Sequence, residues 1–514
     1  MSGWNDGYVT DLVYTQGFYR EMTPAQLALA VTIRGIRPPA ALSGSYRYCE
    51  LGCGRGVGTA VLAAGNPNGE FWGVDFNPTQ IAGAQRLAQT AALGNLHFLE
   101  KSFEEFLDTE TPTFDVIALH GVYSWVIRRH QQAIVAILRQ KLNPGGLVYI
   151  SYNALPGWSA LMPLRFLLAK NPETAHLPSV PRIDKNLALA ATLLGTKAQF
   201  FAGNPNATRL LEQIQNQSRN YVAHEYLGSD FLPMFHADVA QDLEEAKLAF
   251  AGSANLSDFF DTLNLTPEAL TVLNGITDAS FRETVRDYYL NQRFRRDVYV
   301  RGADRLTNAE QRKLLGATRF ALVVTAEEAL AKAKFANGEV TLGEEVYQPL
   351  VKALEEGIKS GDELVAWPGL AALGQNQVLH NLVMLCATGR VCPLPAVADG
   401  KIRPGHGERY NLAVIDTNLE GEGIGWLASP VTGSGHIASR IEMLFLAGLA
   451  HGLKDPAAFA WERVKKSGRK LVKNGTALES DQDNLEEMRS IWTHFAEKRI
   501  PILRRLGVVK IKQK

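Results

Sequence analysis

The residues best placed to do chemistry are the run Cys49-Glu50-Leu51-Gly52-Cys53-Gly54-Arg55-Gly56-Val57-Gly58 and, further on, Gly73-Val74-Asp75-Phe76. Each reads as a strand ending in an acid; the first continues into a glycine-packed turn and a helix. An α/β sheet builds a nucleoside site at its carboxyl edge in this way. The glycines let backbone N–H groups approach a ligand with no Cβ in the way. A pyrophosphate cradle would need Gly-x-Gly-x-x-Gly opening the helix. Counted from Gly52 the sixth position is Val57, and counted from Gly54 it is Thr59, so that fingerprint fails in both registers. Glu50 would repel phosphate and suit a cation. Asp75 stands 23 residues beyond Gly52, about where an acid accepts from ribose hydroxyls. The pattern calls for a nucleoside with positive charge and no phosphate.

S-Adenosylmethionine is such a nucleoside, and ELGCGRG…GVD is similar to motifs I and II of the class I methyltransferases. Cofactor binding is assigned to Glu50, Gly52, Gly54, Gly56, Asp75 and Phe76. Ser102 and Phe103, after the third strand, stand where class I enzymes contact the adenine, and His120 ends the fourth strand. Tyr14, with Tyr8, Phe18 and Tyr19, lies in an N-terminal segment where such enzymes often lay a lid over the cofactor.

The elements that must position these residues follow from periodicity. Strands are expected over 46–51, 70–75, 96–100, 114–119 and 147–152, with helices over 57–64, 78–92 and 129–142, the last stopped by Asn143-Pro144-Gly145-Gly146. Strands alternating with helices give a parallel, doubly wound sheet. The fold class expected is therefore α/β, a Rossmann-like class I methyltransferase sheet with a helical insertion, then a mainly helical, winged-helix-like domain and an α+β C-terminal domain. The expected boundaries are 1–165 for the cofactor-binding core, 166–222 for the insertion and 223–302 for a segment whose strands, 248–253 and 293–300, close the core sheet. The middle domain takes 303–397 and the C-terminal domain 398–514.

At 514 residues the chain is too long for one core. Lys+Arg and Asp+Glu both number 53, and a balanced charge lacks the basic face of a nucleic-acid-modifying enzyme. The four cysteines lack zinc-ribbon spacing and read as reduced thiols. With no signal-peptide pattern and no bilayer-length apolar run, a cytoplasmic protein without membrane insertion is expected.

The chain resembles a bacterial family of methyltransferases that carry a methyltransferase regulatory domain. The resemblance rests on ELGCGRG, NPNGEFWGVDFNPTQI, HGVYSWV, SYNALPGW, AHEYL, KLAFAGSA, FRRDVYVRG and LASPVTGSG, from about residue 14 to 450. Characterised members include protein-lysine methyltransferases that act on outer-membrane proteins, so the resemblance implies lysine side chains of a protein as acceptor.

The fourth strand delivers His120-Gly121-Val122-Tyr123-Ser124-Trp125 to the sheet's carboxyl edge. The Asn/Asp-Pro-Pro-Tyr motif of many amino-methylating enzymes is absent, and an aromatic cluster stands there instead. Aromatic faces attract an ammonium or a sulfonium with roughly 0.5–2 kcal/mol. His120, Tyr123, Trp125 and Tyr152 are the expected catalytic residues, with His120 or Tyr123 relaying the acceptor's proton. His224-Glu225-Tyr226 precedes the sixth strand, and Tyr226 is expected to complete the acceptor site. The triplet lacks the second His of a metalloprotease helix, so no metal is expected.

Three readings are distinguished. In the first, the chain methylates protein lysines, and the extra domains supply surface for a polypeptide. In the second, it methylates a metabolite or natural product, and those domains serve dimerisation as a homodimer. In the third, it is a binding module that kept the cofactor fold, which the full complement of glycines and acids opposes.

Overall fold

The computed structural model describes residues 17–228, 230–396, 406–421 and 423–509. Its centre is a seven-stranded sheet: β1 (Tyr46–Leu51), β2 (Gly69–Asp75), β3 (Leu96–Glu100), β4 (Phe114–Leu119), β5 (Leu142–Asn153), β6 (Leu248–Ser253) and β7 (Phe294–Arg301). The spatial order is β3-β2-β1-β4-β5-β7-β6. The first five strands are parallel; β7 runs antiparallel to both β5 and β6. Strand order reverses beside β1, between its neighbours β2 and β4, and a crevice opens there at the carboxyl ends.

Helices α1 (Pro24–Thr32), α2 (Val57–Gly65), α3 (Pro78–Thr90), α4 (Phe103–Asp108) and α5 (Arg128–Lys141) cover the sheet. The parallel strands are buried on both faces, so β4 reads Phe-Asp-Val-Ile-Ala-Leu rather than alternating. Asn143-Pro144-Gly145-Gly146 does not separate α5 from β5 as a free loop. Pairing jumps from Phe114–Leu142 to Val116–Leu147, so the turn is carried as an irregularity inside β5.

Five helices leave the sheet's carboxyl edge after β5: α6 (Met162–Ala169), α7 (Ser179–Gly195), α8 (Gln199–Ala202), α9 (Pro205–Gln215) and α10 (Arg219–Leu227). They have their own core, including Trp158, Leu164, Ile183, Leu211 and Tyr226. Then α11 (His236–Glu244) leads back into β6.

Residues 308–393 pack helices around a three-stranded antiparallel sheet in which 319–322 lies between 359–360 and 391–393. The C-terminal part places the hairpin 426–437 against α2. Asn66 Nδ2 donates to the carbonyls of Leu62 and Gly433 at 2.9 and 2.8 Å, and Phe18 packs on Trp426 with ring centroids 5.5 Å apart. The helix behind the glycine turn is thereby braced by the last domain. No helix among the described residues is long and apolar enough to cross a membrane.

Candidate active site

The turn between β1 and α2 holds three glycines at positive φ: Gly52 (73°), Gly54 (54°) and Gly56 (66°). At Gly56 a Cβ would run into the Phe98 ring and lie 2.9 Å from Ala84 Cβ; at Gly52 it would meet Val122 Cγ2 at 2.6 Å. Here both the left-handed backbone and the crowding require glycine. The turn borders a cleft lined by Phe18, Tyr19, Glu50, Gly54, Gln80 and His120, among others.

Glu50 is only 8% exposed. Its Oε2 accepts from the Thr59 hydroxyl at 2.5 Å. Burial pushes its carboxyl up to about 7, against the pull of Thr59 and with a push from Asp75. Asp75 is not a free strand-end acid. Its Oδ2 accepts from the Gly54 N–H and its Oδ1 from the Asn77 N–H, both at 2.9 Å. Burial raises its carboxyl, and these two N–H groups hold it down. Asp75 thus folds the glycine turn as well as ending β2.

His120 closes the other side. Its Nδ1 lies 2.8 Å from the Tyr149 hydroxyl and 3.2 Å from Ser151 Oγ. The Tyr19 ring stacks on it, centroids 3.5 Å apart. Burial, helped by the Arg296 charge, drops His120 to about 3, so the imidazole is neutral at physiological pH. An imidazole that holds its proton so weakly is a poor proton acceptor, which corrects the relay role expected for it.

Other expectations are corrected by packing. Tyr123 is fully buried and donates to Asp242 Oδ2 at 2.9 Å; Arg128 grips the same carboxylate at 2.5 and 2.6 Å. Tyr152 is also fully buried and donates to Asp297 Oδ2 at 2.8 Å. Both rings pack into the core that includes α11, Tyr152 from β5 and Tyr123 from a short 3-10 turn, Tyr123–Trp125, that follows β4. Burial pushes both phenols up, and the facing carboxylates push further. Ser102 caps α4 in a reciprocal pair with Glu105, and Phe103 packs edge-on to His130 at 6.4 Å. Phe76, Ser102 and Phe103 do not line the cleft, and neither does Asp75, which is tied to its wall through the Gly54 N–H. Tyr14 lies outside the described residues.

Trp125 and Tyr226 come together at the insertion. Trp125 packs on Phe231 at 4.6 Å, and Phe231 on Trp158 at 4.8 Å; Tyr226 lies 6.4 Å from Trp158. Arg165 spans this wall, its guanidinium 4.2 Å from the Phe231 centroid and 2.6 Å from the Gly228 carbonyl. Beside Tyr226, Glu225 is half-buried; burial pushes its carboxyl up to about 7 against the pull of Arg165. Tyr19 is raised by burial first and next by Glu225, so that acid's field reaches the cleft.

The sequence reading missed Gln80, Thr59, Tyr149 and Ser151. Gln80 could have been found, since it stands five residues past Asp75 behind the helix cap Asn77. The others become visible only when strands and helices are packed.

Two family models match: a methyltransferase domain over residues 42–238 and a predicted methyltransferase regulatory domain over 218–301. An uncharacterized protein of Synechocystis sp. is 41% identical over 506 residues, covering 98% of this chain and 99% of that protein. The chain belongs to this family of methyltransferases. An uncharacterized protein of Rickettsia prowazekii is 31% identical over 208 residues, 40% of this methyltransferase and 81% of that protein. The structure of PKMT2 from Rickettsia typhi in complex with AdoHcy has the same fold, with TM-score 0.71 at 19% identity over 96% of this chain and 100% of that one.

The cofactor of this class I methyltransferase is S-adenosylmethionine. The cleft fits it on its own terms: a glycine turn with no room for a Cβ at Gly52 or Gly56, two acids where a phosphate site would have donors, and a buried Gln80 Oε1 with no partner among the described residues. Glu50 and the Gly52–Gly56 turn would hold the charged end, and Asp75 the ribose.

Proposed function

We propose that this methyltransferase acts on lysine side chains of a partner protein, with Glu225 as the proton acceptor. One observation carries the reading: Tyr19 stacks on His120 at the cleft, and Glu225 stands half-buried with its carboxyl pushed up by burial and its charge acting on that same Tyr19. A lysine must lose a proton to react, about three pH units below its ordinary pKa, or roughly 4 kcal/mol. Loss of water at the site and the adjacent sulfonium charge both disfavour the ammonium, and an acid near neutrality takes the proton in the working pH range.

When bound, S-adenosylmethionine supplies an electrophilic methyl group on sulfur. The chain's own residues position the two partners in line and exclude water. Tyr19 and His120 form the aromatic face past which an amine would approach. The middle and C-terminal domains offer the surface a polypeptide needs, and the whole-chain likeness to PKMT2 supports the same reading.

The test is incubation of the purified protein with methyl-labelled cofactor and a lysate of its own host. Label on discrete protein bands, lost when lysines are blocked beforehand, is expected. Label confined to the small-molecule fraction would overturn the proposal.

A further inference from the structure

We infer that Arg293 selects acceptor lysines with an acidic neighbour in the same polypeptide, its guanidinium taking that carboxylate at the rim of the acceptor site. The inference rests on the proposal that the acceptor is a protein lysine. Arg293 immediately precedes β7, and its guanidinium lies over the Trp158 ring, 5.4 Å from the centroid. Trp158 shares an aromatic wall with Tyr226, centroids 6.4 Å apart, and Glu225 stands next to Tyr226 on α10. Burial raises the phenols of Tyr221 and Tyr226, and Arg293 pulls each of them down. Its charge therefore acts on the helix that carries Glu225.

Backbone contacts fix this position. The Ala154 N–H donates to the Arg293 carbonyl at 2.9 Å, and the Gly157 N–H to the Gln292 carbonyl at 3.1 Å. A Cβ on Gly157 would lie 2.3 Å from that Gln292 oxygen and 2.6 Å from Arg293 Cγ, so glycine is what lets the side chain lie down on Trp158. Arg295 and Arg296, on the strand that follows, have their charges met inside the protein. Arg295 pairs with Glu283, Asp287 and Asp297, and Arg296 lies 3.8 Å from Glu21. Arg293 is exposed, and no carboxylate among the described residues pairs with it. Stacking on the indole occupies the face of the guanidinium and leaves its edge donors free, in the fork that matches a carboxylate. A side chain already laid on a ring loses little freedom when it binds. Lysine is long, so its amine can reach towards Glu225 while its backbone and neighbours stay at the rim with Arg293. An acid beside that lysine would otherwise keep the ammonium charged, and pairing with Arg293 cancels its effect.

The experiment incubates the purified protein and S-adenosylmethionine carrying a deuterated methyl group with a lysate of its own host deleted for this protein. Labelled lysines are mapped by mass spectrometry for the wild type, Arg293→Gln and Arg293→Glu, and the unlabelled lysines of the same proteins are the reference. In the wild type, a neighbouring Asp or Glu is expected to raise the odds of labelling about fivefold. The preference should vanish in Arg293→Gln and pass to lysines with a basic neighbour in Arg293→Glu, an inversion that misfolding could not produce. Calorimetry should show S-adenosylhomocysteine affinity kept in both variants, since Arg293 does not line the cofactor cleft. Labelled lysines with no excess of acidic neighbours, or an excess that either variant keeps, would overturn the inference and leave the lysine reading standing. If no lysine is labelled, the lysine reading falls and the inference with it.

Discussion

Replacing Glu50 by Gln should separate two quantities that this buried acid couples, the stability of the ligand-free protein and its affinity for a cationic cofactor. Glu50 is 8% exposed and its carboxyl stands near 7. Against an ordinary glutamate near 4.5, that gap is worth about 3 kcal/mol. The sign follows from the direction. The folded chain holds the Glu50 proton more tightly than the unfolded chain does. Its contribution to stability is therefore lost as pH rises from about 4.5 to about 7, and the full penalty persists above. A cationic ligand prefers the ionised acid, so S-adenosylmethionine affinity should rise about tenfold between pH 5.5 and 7, with proton release on binding. In Glu50→Gln the amide oxygen can still accept from Thr59. The variant should gain about 1–3 kcal/mol at pH 8, bind the cofactor roughly ten- to a hundredfold more weakly, and show a flat pH profile. Urea unfolding at pH 5 and 8 measures the first effect. Calorimetry in buffers of different ionisation heat measures the others. A wild-type affinity that is flat from pH 5.5 to 7 with no proton release, or a variant no more stable at pH 8, would refute the reasoning.

Gly56→Ala forces a left-handed alanine against Phe98 and Ala84, and denaturant unfolding should show a loss of about 2–5 kcal/mol. Tyr123→Phe removes a buried hydroxyl that donates to Asp242, so stability should fall by about 1–2 kcal/mol while turnover stays within about twofold; a large loss of turnover would return Tyr123 to the site. Glu225→Gln should lower kcat at least about tenfold with cofactor affinity kept, and should remove the acid limb near pH 7 from the rate profile; a limb that persists means another group takes the proton.

The cofactor end of this protein was legible in its residues alone. The glycine run, Glu50 and Asp75 lie within one β-α-β stretch, so local geometry alone brings them to one turn. The same locality gave the parallel strands and the helices between them. The acceptor side was decided by tertiary structure. Tyr123 follows β4 in a 3-10 turn and Tyr152 lies near the end of β5, yet packing against α11 and β7 buries their hydroxyls on Asp242 and Asp297. His120 has the residue type of a base, but its burial beside Arg296 removes the basicity. Glu225 gains proton affinity because a helix more than a hundred residues later in the chain is folded into half-burial beside Arg165. Backbone spacing fixes what neighbours in sequence can share. Which side chains lose their water depends on elements far apart in the chain, and it is the loss of water that makes an acid, a base or a spectator.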